Sequence, residues 1–383
     1  LYGSYALEHP DQFKIVGVVD PNPVRRDQAC EMFSIPQENI FASIDELLER
    51  PLIADAVING TMDSLHVPLT IPLLEKGYNV LLEKPIGISK EEVLSLWRTA
   101  QETGKLVMIC HVLRYAPFYV EIKKAVAEGK IGKIVHIETT ENVSYHHIAT
   151  AFIRGKWNSK AKCGSSFLMA KCCHDLDIIS WLKSGVAPTS VASFGHLTQF
   201  KKENAPEGAG TRCLTDCKIE DSCPYSAKRL YIDKGLWRFY AWESIEHLGG
   251  NNASADVKIE SLKTDNPYGR CVWHCDNDIV DHQSVIIQFE DGCIATHNLI
   301  GATARPCRAI HIVGTQGEIE GVMEDGQFVI RHPYLEVGKE HAEEIVRINA
   351  QSEMHGGGDL RLVEDFVRRL RGEDPSISST VLE

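Results

Sequence analysis

Asn79-Val80-Leu81-Leu82-Glu83-Lys84-Pro85-Ile86-Gly87 decides how this 383-residue chain is read. Its apolar run has the composition of a strand buried on both faces of a parallel sheet, and it stops abruptly in a carboxylate, an ammonium and a proline. Ligands of open α/β sheets lie at the carboxyl ends of strands, so Lys84 stands where a ligand would sit. Pro85 biases its predecessor toward extended backbone and so sets the direction in which Lys84 points. A lysine that merely solvates a strand end fits the same spacing.

Outward from this stretch the chain alternates. A strand over 14–19, helices near 24–33 and 44–48, a strand over 56–59 and a helix over 65–76 precede it as successive β/α units. Ser89 with Glu92 forms a capping box for a helix to about Thr103, Gly104 ends that helix, and 105–110 is the next strand. From Lys133 onward short alternating strands replace this pattern, at 133–138, 285–289, 293–299 and 308–313, as an open sheet requires.

Composition narrows the function classes. The chain is 43% hydrophobic and 24% charged, enough for a large core in two domains. Forty basic residues against 53 acidic ones give a net charge of −13, and no run supplies the basic face that nucleic acid needs. No apolar run is long enough to span a bilayer. Twelve cysteines, mostly outside disulfide-framework spacing, fit a reducing, cytoplasmic setting.

The segment from Ala56 to Gly87, with Thr61, Asp63 and His66 and the closing Glu83-Lys84-Pro85, resembles the Gfo/Idh/MocA family of nicotinamide-dependent sugar and inositol oxidoreductases. A second resemblance lies in His174-Asp175-Leu176-Asp177, which is similar to the catalytic-helix signature of that family. Arg114 and Pro117, after His111-Val112-Leu113, match the stretch that closes the family's cofactor domain. The resemblance implies an α/β fold: a Rossmann-type dinucleotide-binding domain over 1–116, then an α/β domain over 117–383 with a large open, mainly antiparallel sheet. It implies NAD, with NADP as the alternative, a small carbohydrate substrate, and assembly as a homodimer or homotetramer.

Residue roles follow from the resemblance and from position. Lys84 stabilises the alkoxide, His174 takes the hydroxyl proton, and Asp177, three residues on along one helix face, orients His174. Asp20, at the end of the 14–19 strand, is the ribose-binding acid and favours NAD, although Arg25 or Arg26 could reach a 2′-phosphate. Counting back about 20 residues from Asp20 places the phosphate-binding glycine loop at or before Leu1. The chain also stops at 378–383, where the family continues into another helix. Thr61, Asp63, His66, Glu83, Lys84 and Arg114 complete the expected cofactor contacts. The helix stripe Leu168, Cys172, Leu176 and Ile179 is expected to face the core. Family dehydrogenases commonly carry an aspartate one turn before the histidine; here that position is Ala170, with Lys171 beside it.

Tyr145, His147, Arg154, Trp157 and Lys171 mix donors with aromatic surface, as a polyol pocket does. Residues 198–275 are expected to be a surface excursion rich in cysteine. Cys213, Cys217 and Cys223, with Cys271 and Cys275 downstream, have spacing that admits a structural zinc, free thiols or a disulfide. The reaction expected is reversible oxidation of a secondary hydroxyl on a sugar, polyol or glycoside. The alternatives are glycoside cleavage by transient oxidation and elimination on bound NAD, and a non-catalytic sensor of sugar or NAD.

Overall fold

The computed structural model describes residues 2–333, 336–348, 354–373 and 377–381. It divides into two compact units, Leu1–Glu121 with Asn349–Glu383, and Ile122–Ile348. The boundary thus falls a few residues later than expected, and the closing segment belongs with the first unit rather than the second.

In the first unit β1 (Val18–Val19) pairs in parallel with β2 (Ile40–Phe41), and β3 (Ala56–Asn59), β4 (Asn79–Leu82) and β5 (Val107–Ile109) form a parallel sheet in that order. Val80, Leu81 and Leu82 are fully buried, and the twofold alternation of a strand divides them between two cores. Val80 and Leu82 meet Leu73, Leu74, Leu96 and Ala100 from the helices His66–Lys76 and Lys90–Thr103. Leu81 and Met108 meet Leu362, Val363 and Phe366 of the helix Gly358–Leu370, and this packing draws the chain end into the unit. Ser89 caps its helix through the Glu92 amide at 3.2 Å. The strand expected over 14–19 is reduced to Val18–Val19, because among the described residues β2 is its one ladder partner. Leu382 and Glu383, at the end of the closing stretch, lie outside the described residues.

The second unit is built on one sheet: β6 (Ile134–Ser144), β7 (Pro188–His196), β8 (His282–Phe289), β9 (Ile294–Thr303), β10 (Cys307–Gly314), β11 (Glu318–Val322), β12 (Gln327–Pro333) and β13 (His341–Arg347). Their order is β13-β12-β11-β10-β6-β9-β8-β7, antiparallel throughout except between β6 and β9. A parallel pair needs a crossover, and the helix Phe167–Leu182 lies in that connection, against β6 and β9. Ser166 caps it by accepting from the Met169 amide at 3.2 Å. Of the expected stripe, Cys172 and Ile179 are buried and Leu168 and Leu176 only half-buried; Phe167, Ala170, His174, Asp175, Ile178, Trp181 and Leu182 are buried as well. The buried face is therefore wider than the apolar stripe expected and takes in Asp175, which an ion pair with Arg308 holds inward.

His196 and His282 are register partners, so the excursion leaves and re-enters the sheet at one point. Asp281 closes that neck by accepting the amides of Thr198 at 2.9 Å and Gln199 at 2.6 Å. The excursion is not a solvated loop. Leu230, Tyr231, Trp242, Leu262 and Tyr268 make a core of their own, while Phe200, Tyr225 and Trp273 join the core of the Phe167–Leu182 helix. No described helix is long and apolar enough to cross a membrane.

Candidate active site

The carboxyl ends of β3 and β4 are stitched together by His66, which is 1% exposed. Its Nδ1 lies 2.6 Å from the Pro85 carbonyl oxygen and its Nε2 3.0 Å from that of Thr61. Asn59, the last residue of β3, accepts from the Thr61 hydroxyl at 2.8 Å and donates to the His66 carbonyl and the Thr70 hydroxyl at 3.1 and 3.0 Å. Glu83 accepts from the Tyr2 hydroxyl at 2.6 Å and from the Lys84 amide at 2.9 Å, and burial drives the Tyr2 phenol far above its ordinary range. The Lys84–Pro85 peptide is cis.

Several residues expected to contact the cofactor have partners within the protein. The ring nitrogens of His66 are taken by backbone carbonyls and the carboxylate of Glu83 by Tyr2 and its own neighbour, so both residues position the Lys84 turn. Arg114 is 8% exposed and donates to the Ser378 carbonyl at 3.2 Å. Beside it Tyr115 donates to Asp365 at 2.7 Å, which ties this stretch to the closing helix. Asp63 is buried, and Thr61 spends its hydroxyl on Asn59. Asp20 follows β1 as expected and accepts the Asn22 amide at 2.7 Å. Arg26 donates to the Asp20 and Pro21 carbonyls at 2.6 and 3.1 Å.

In the second unit His174 is 3% exposed and Asp177 half-buried on one helix. The acid that sequence reasoning passed over is Asp175. Arg308 lies between Asp175, at 3.2 Å, and Glu141, at 2.8 Å, and Lys171 pairs with the other Glu141 oxygen at 3.2 Å. Lys171, expected to meet substrate, thus has a protein counter-ion. Burial pushes the Glu141 carboxyl up, but Arg308 and Lys171 more than offset it and hold it low. Burial raises Asp175 despite Arg308, and burial lowers His297. Cys172, Asp175 and His297 offer ligand atoms within 4.8 Å of one another. With Arg308 already on Asp175, this is the geometry of an ion-pair network.

Tyr145, His147 and Trp157 do come together, in an aromatic layer completed by the excursion. The His147 ring stacks on Trp237 with centroids 4.3 Å apart, Trp157 meets Tyr240 edge-on, and Lys234 donates to the Tyr145 hydroxyl at 3.1 Å. Trp237 Nε1 donates to His146 at 2.9 Å, and Trp237 has φ +53°, a conformation that bulky residues rarely adopt. No local pattern marks Lys234, Trp237 and Tyr240 as neighbours of Tyr145. Arg154 does not belong to this layer. It is 1% exposed and donates to the Arg270 and Tyr225 carbonyls at 2.6 and 2.7 Å and to Tyr231 at 3.2 Å, so it braces the excursion.

None of the twelve cysteines is in a disulfide. Cys213, Cys217 and Cys223 line one cavity, and the fourth sulfur there is Cys271. Cys275 instead donates to the Cys271 carbonyl at 3.2 Å. The acids just before His282 have structural work: Asp278 accepts from the Lys160 amide at 2.7 Å, and Asp276 pairs with Lys162 and Arg270, both at 2.7 Å.

Comparison with known proteins agrees with this architecture. Residues 2–111 match the NAD-binding Rossmann-fold domain of the Gfo/Idh/MocA oxidoreductase family, and residues 123–380 match its C-terminal α/β domain. The putative oxidoreductase YteT of Bacillus subtilis (strain 168) is 24% identical over 95% of this chain and 83% of its own length. The scyllo-inositol 2-dehydrogenase (NAD(+)) of the same organism is 30% identical over 48% of this chain and 50% of its own. Among solved structures, a levoglucosan dehydrogenase complexed with NADH and levoglucosan superposes with a TM-score of 0.68 at 16% identity, covering 98% of this chain and 88% of that one. On these matches and on the fold that carries them, the chain belongs to the Gfo/Idh/MocA family of NAD-binding oxidoreductases.

Proposed function

We propose that this chain interconverts a secondary hydroxyl and a ketone on a sugar, polyol or glycoside with NAD(H). The observation that carries the reading is the Glu83-Lys84-Pro85 turn at the carboxyl end of β4, where His66 and Tyr2 hold the backbone around one lysine. The parallel strands and their polar ends fit a dinucleotide, with Asp20, Thr61 and Lys84 as the groups that would meet it. Arg26 is committed to two carbonyls, which favours NAD over NADP. When bound, the nicotinamide supplies a hydride acceptor or donor. Lys84 stabilises negative charge on the substrate oxygen, His174 accepts the hydroxyl proton, and Asp177 orients His174. The Tyr145, His147, Trp157 and Trp237 layer offers aromatic faces and polar edges suited to a carbohydrate. Names among its relatives, including the inositol and anhydrosugar enzymes, support this substrate class.

A reducing, cytoplasmic location fits the lack of disulfides among the twelve cysteines. Val191, at 64% exposure, Phe194, at 80%, and Ile286, at 48%, leave apolar surface on β7 and β8 that a second copy would cover, in a homodimer or homotetramer.

The test is incubation with NAD and a panel of inositols, sugars and aryl glycosides, following NADH and released aglycone together. NADH formation that Lys84→Ala and His174→Ala abolish, with dinucleotide binding retained, supports the proposal. Aglycone release without NADH moves the assignment to glycoside cleavage by transient oxidation. Silence in both channels, with NAD bound, favours a sensor and overturns it.

A further inference from the structure

The turn Lys234-Gly235-Leu236-Trp237-Arg238 brings two cations to the aromatic layer and no acid with them. The neighbouring acid, Asp233, is taken by Lys228, whose Nζ lies 3.0 Å from both of its oxygens. The next acid along the chain, Glu243, pairs with Lys156 at 3.3 Å. Lys234 donates to the Tyr145 hydroxyl at 3.1 Å, and Arg238 donates through Nε to the Gly235 carbonyl at 3.1 Å. Among the described residues no carboxylate forms an ion pair with either. Acids are plentiful in a chain of net charge −13, so two cations left without one on a single turn point to an anion from outside the chain.

The backbone of this turn is built for the purpose. Lys234 N donates to the Arg229 carbonyl at 3.0 Å and Leu236 N to that of Leu230 at 2.9 Å, which pins the turn to the helix before it. Gly235 has φ +60° and Trp237 φ +53°. A bulky residue keeps such a conformation only where its surroundings hold it, and strain of this kind gathers at ligand sites. Here the holding contacts are the His147 ring, stacked 4.3 Å away, and His146 Nδ1, which accepts from Trp237 Nε1 at 2.9 Å. An indole N–H can only donate, so the proton of the neutral His146 ring sits on Nε2. Burial, and then Lys234, hold His146 below its ordinary range and keep the ring neutral.

The polar groups beside Tyr145 are therefore donors: the Lys234 ammonium, the Tyr145 hydroxyl proton, left over once its oxygen accepts from Lys234, and His146 Nε2–H. Neutral sugar hydroxyls both donate and accept, and a site for them needs acceptors as well. A carboxylate only accepts. Tyr145 and Trp157 also pack against the core that holds Phe167, Ala170 and Cys172 of the helix bearing His174.

We propose that the substrate is a sugar acid, whose carboxylate is bound by Lys234 and the Tyr145 hydroxyl, with Arg238 as the second cation. The inference rests on the oxidation proposed above and adds the charge of its substrate. An ammonium and a phenol side by side match the two oxygens of one carboxylate, whereas a phosphate dianion calls for a larger set of charged donors. The faces of Trp157 and Trp237 suit the apolar side of the sugar ring.

The full-length chain loaded with NAD is titrated calorimetrically with D-glucuronate, D-galacturonate, D-glucose, D-galactose and D-glucose 6-phosphate, and NADH is followed in the same mixtures. A uronate should bind roughly 10- to 100-fold more tightly than its neutral sugar, as one charge-assisted contact provides. Raising the ionic strength should narrow that gap. Lys234→Met should abolish the gap and Lys234→Arg should keep most of it, which separates a lost charge from a disturbed turn. Equal affinity for acid and neutral sugars, no uronate binding, or a gap that survives Lys234→Met overturns the inference, whatever NADH does. Tighter binding of glucose 6-phosphate than of both uronates overturns the carboxylate. A uronate preference that depends on Lys234 but yields no NADH counts against the proposed oxidation and leaves the recognition of the acid standing.

Discussion

Replacing Arg308 with methionine should cost more than any other single change in the second unit outside its apolar core. The guanidinium lies 2.8 Å from Glu141 and 3.2 Å from Asp175, and these side chains are 8%, 5% and 3% exposed. The Arg308→Met side chain fills similar space but leaves two buried carboxylates sharing Lys171, which is 17% exposed. Breaking such a buried network costs about 3–5 kcal/mol. For a unit of this size each kcal/mol lowers the melting temperature by roughly 2–4 °C, so the transition should fall by about 6–20 °C. Differential scanning calorimetry measures it. Burial already raises Asp175 against the pull of Arg308, so without that cation Asp175 takes up a proton more readily and the deficit shrinks as pH falls. His174 precedes Asp175 on the same helix, so turnover should fall in parallel. Lys171→Met, which leaves Arg308 in place, should cost less than half as much. Melting of Arg308→Met within about 2 °C of wild type, or a deficit that does not change with pH, would refute the view that these carboxylates are charged and dry.

His66→Ala frees the Pro85 and Thr61 carbonyls, which should lower stability by about 1–3 kcal/mol per unpaired group and raise KM for the dinucleotide more than for the sugar; an unchanged dinucleotide KM would deny His66 its positioning role. Arg154→Met should make the excursion a preferred site of limited proteolysis, because the Arg270 and Tyr225 carbonyls lose their donor. If instead proteolysis is unchanged and only KM for the sugar rises, Arg154 touches substrate after all. Burial keeps His297 below the usual histidine range, so between its folded value and about 6.5 the unfolded chain holds a proton that the folded chain does not. Its contribution is complete above that window and declines as pH falls through it, and His297→Gln should flatten the dependence of urea midpoints on pH there.

What was legible in the sequence depended on locality. Strand β4, its terminal Lys84, the Ser89 cap and the alternation of the first unit rest on neighbours a few residues apart, and these stand as read. His66 shows the limit. A histidine one turn into a helix is compatible with ligand or packing, and only the approach of Pro85 to its ring decides. The helix Phe167–Leu182 was recognised, with Cys172 and Ile179 inward, but the full width of its buried face was not, because apolar spacing gives no sign that Arg308, more than a hundred residues away, draws Asp175 inward. The excursion was hardest. Its Gly, Asn and Lys content reads as surface, yet Tyr231, Trp242 and Leu262 bury one another through contacts that no periodicity records.

The register between His196 and His282 has an evolutionary reading. A segment that enters and leaves a sheet at adjacent residues is topologically a hairpin loop, whatever its length, and each doubling of such a loop costs only about 0.6 kcal/mol. The stretch from Leu197 to Asp281 can therefore be gained, traded or pruned as a cassette while β7 and β8 remain paired. That cassette delivers Lys234, Trp237 and Tyr240 to Tyr145, His147 and Trp157. If that layer meets the carbohydrate as proposed, exchanging one loop would change what is recognised while leaving Lys84 and His174 untouched.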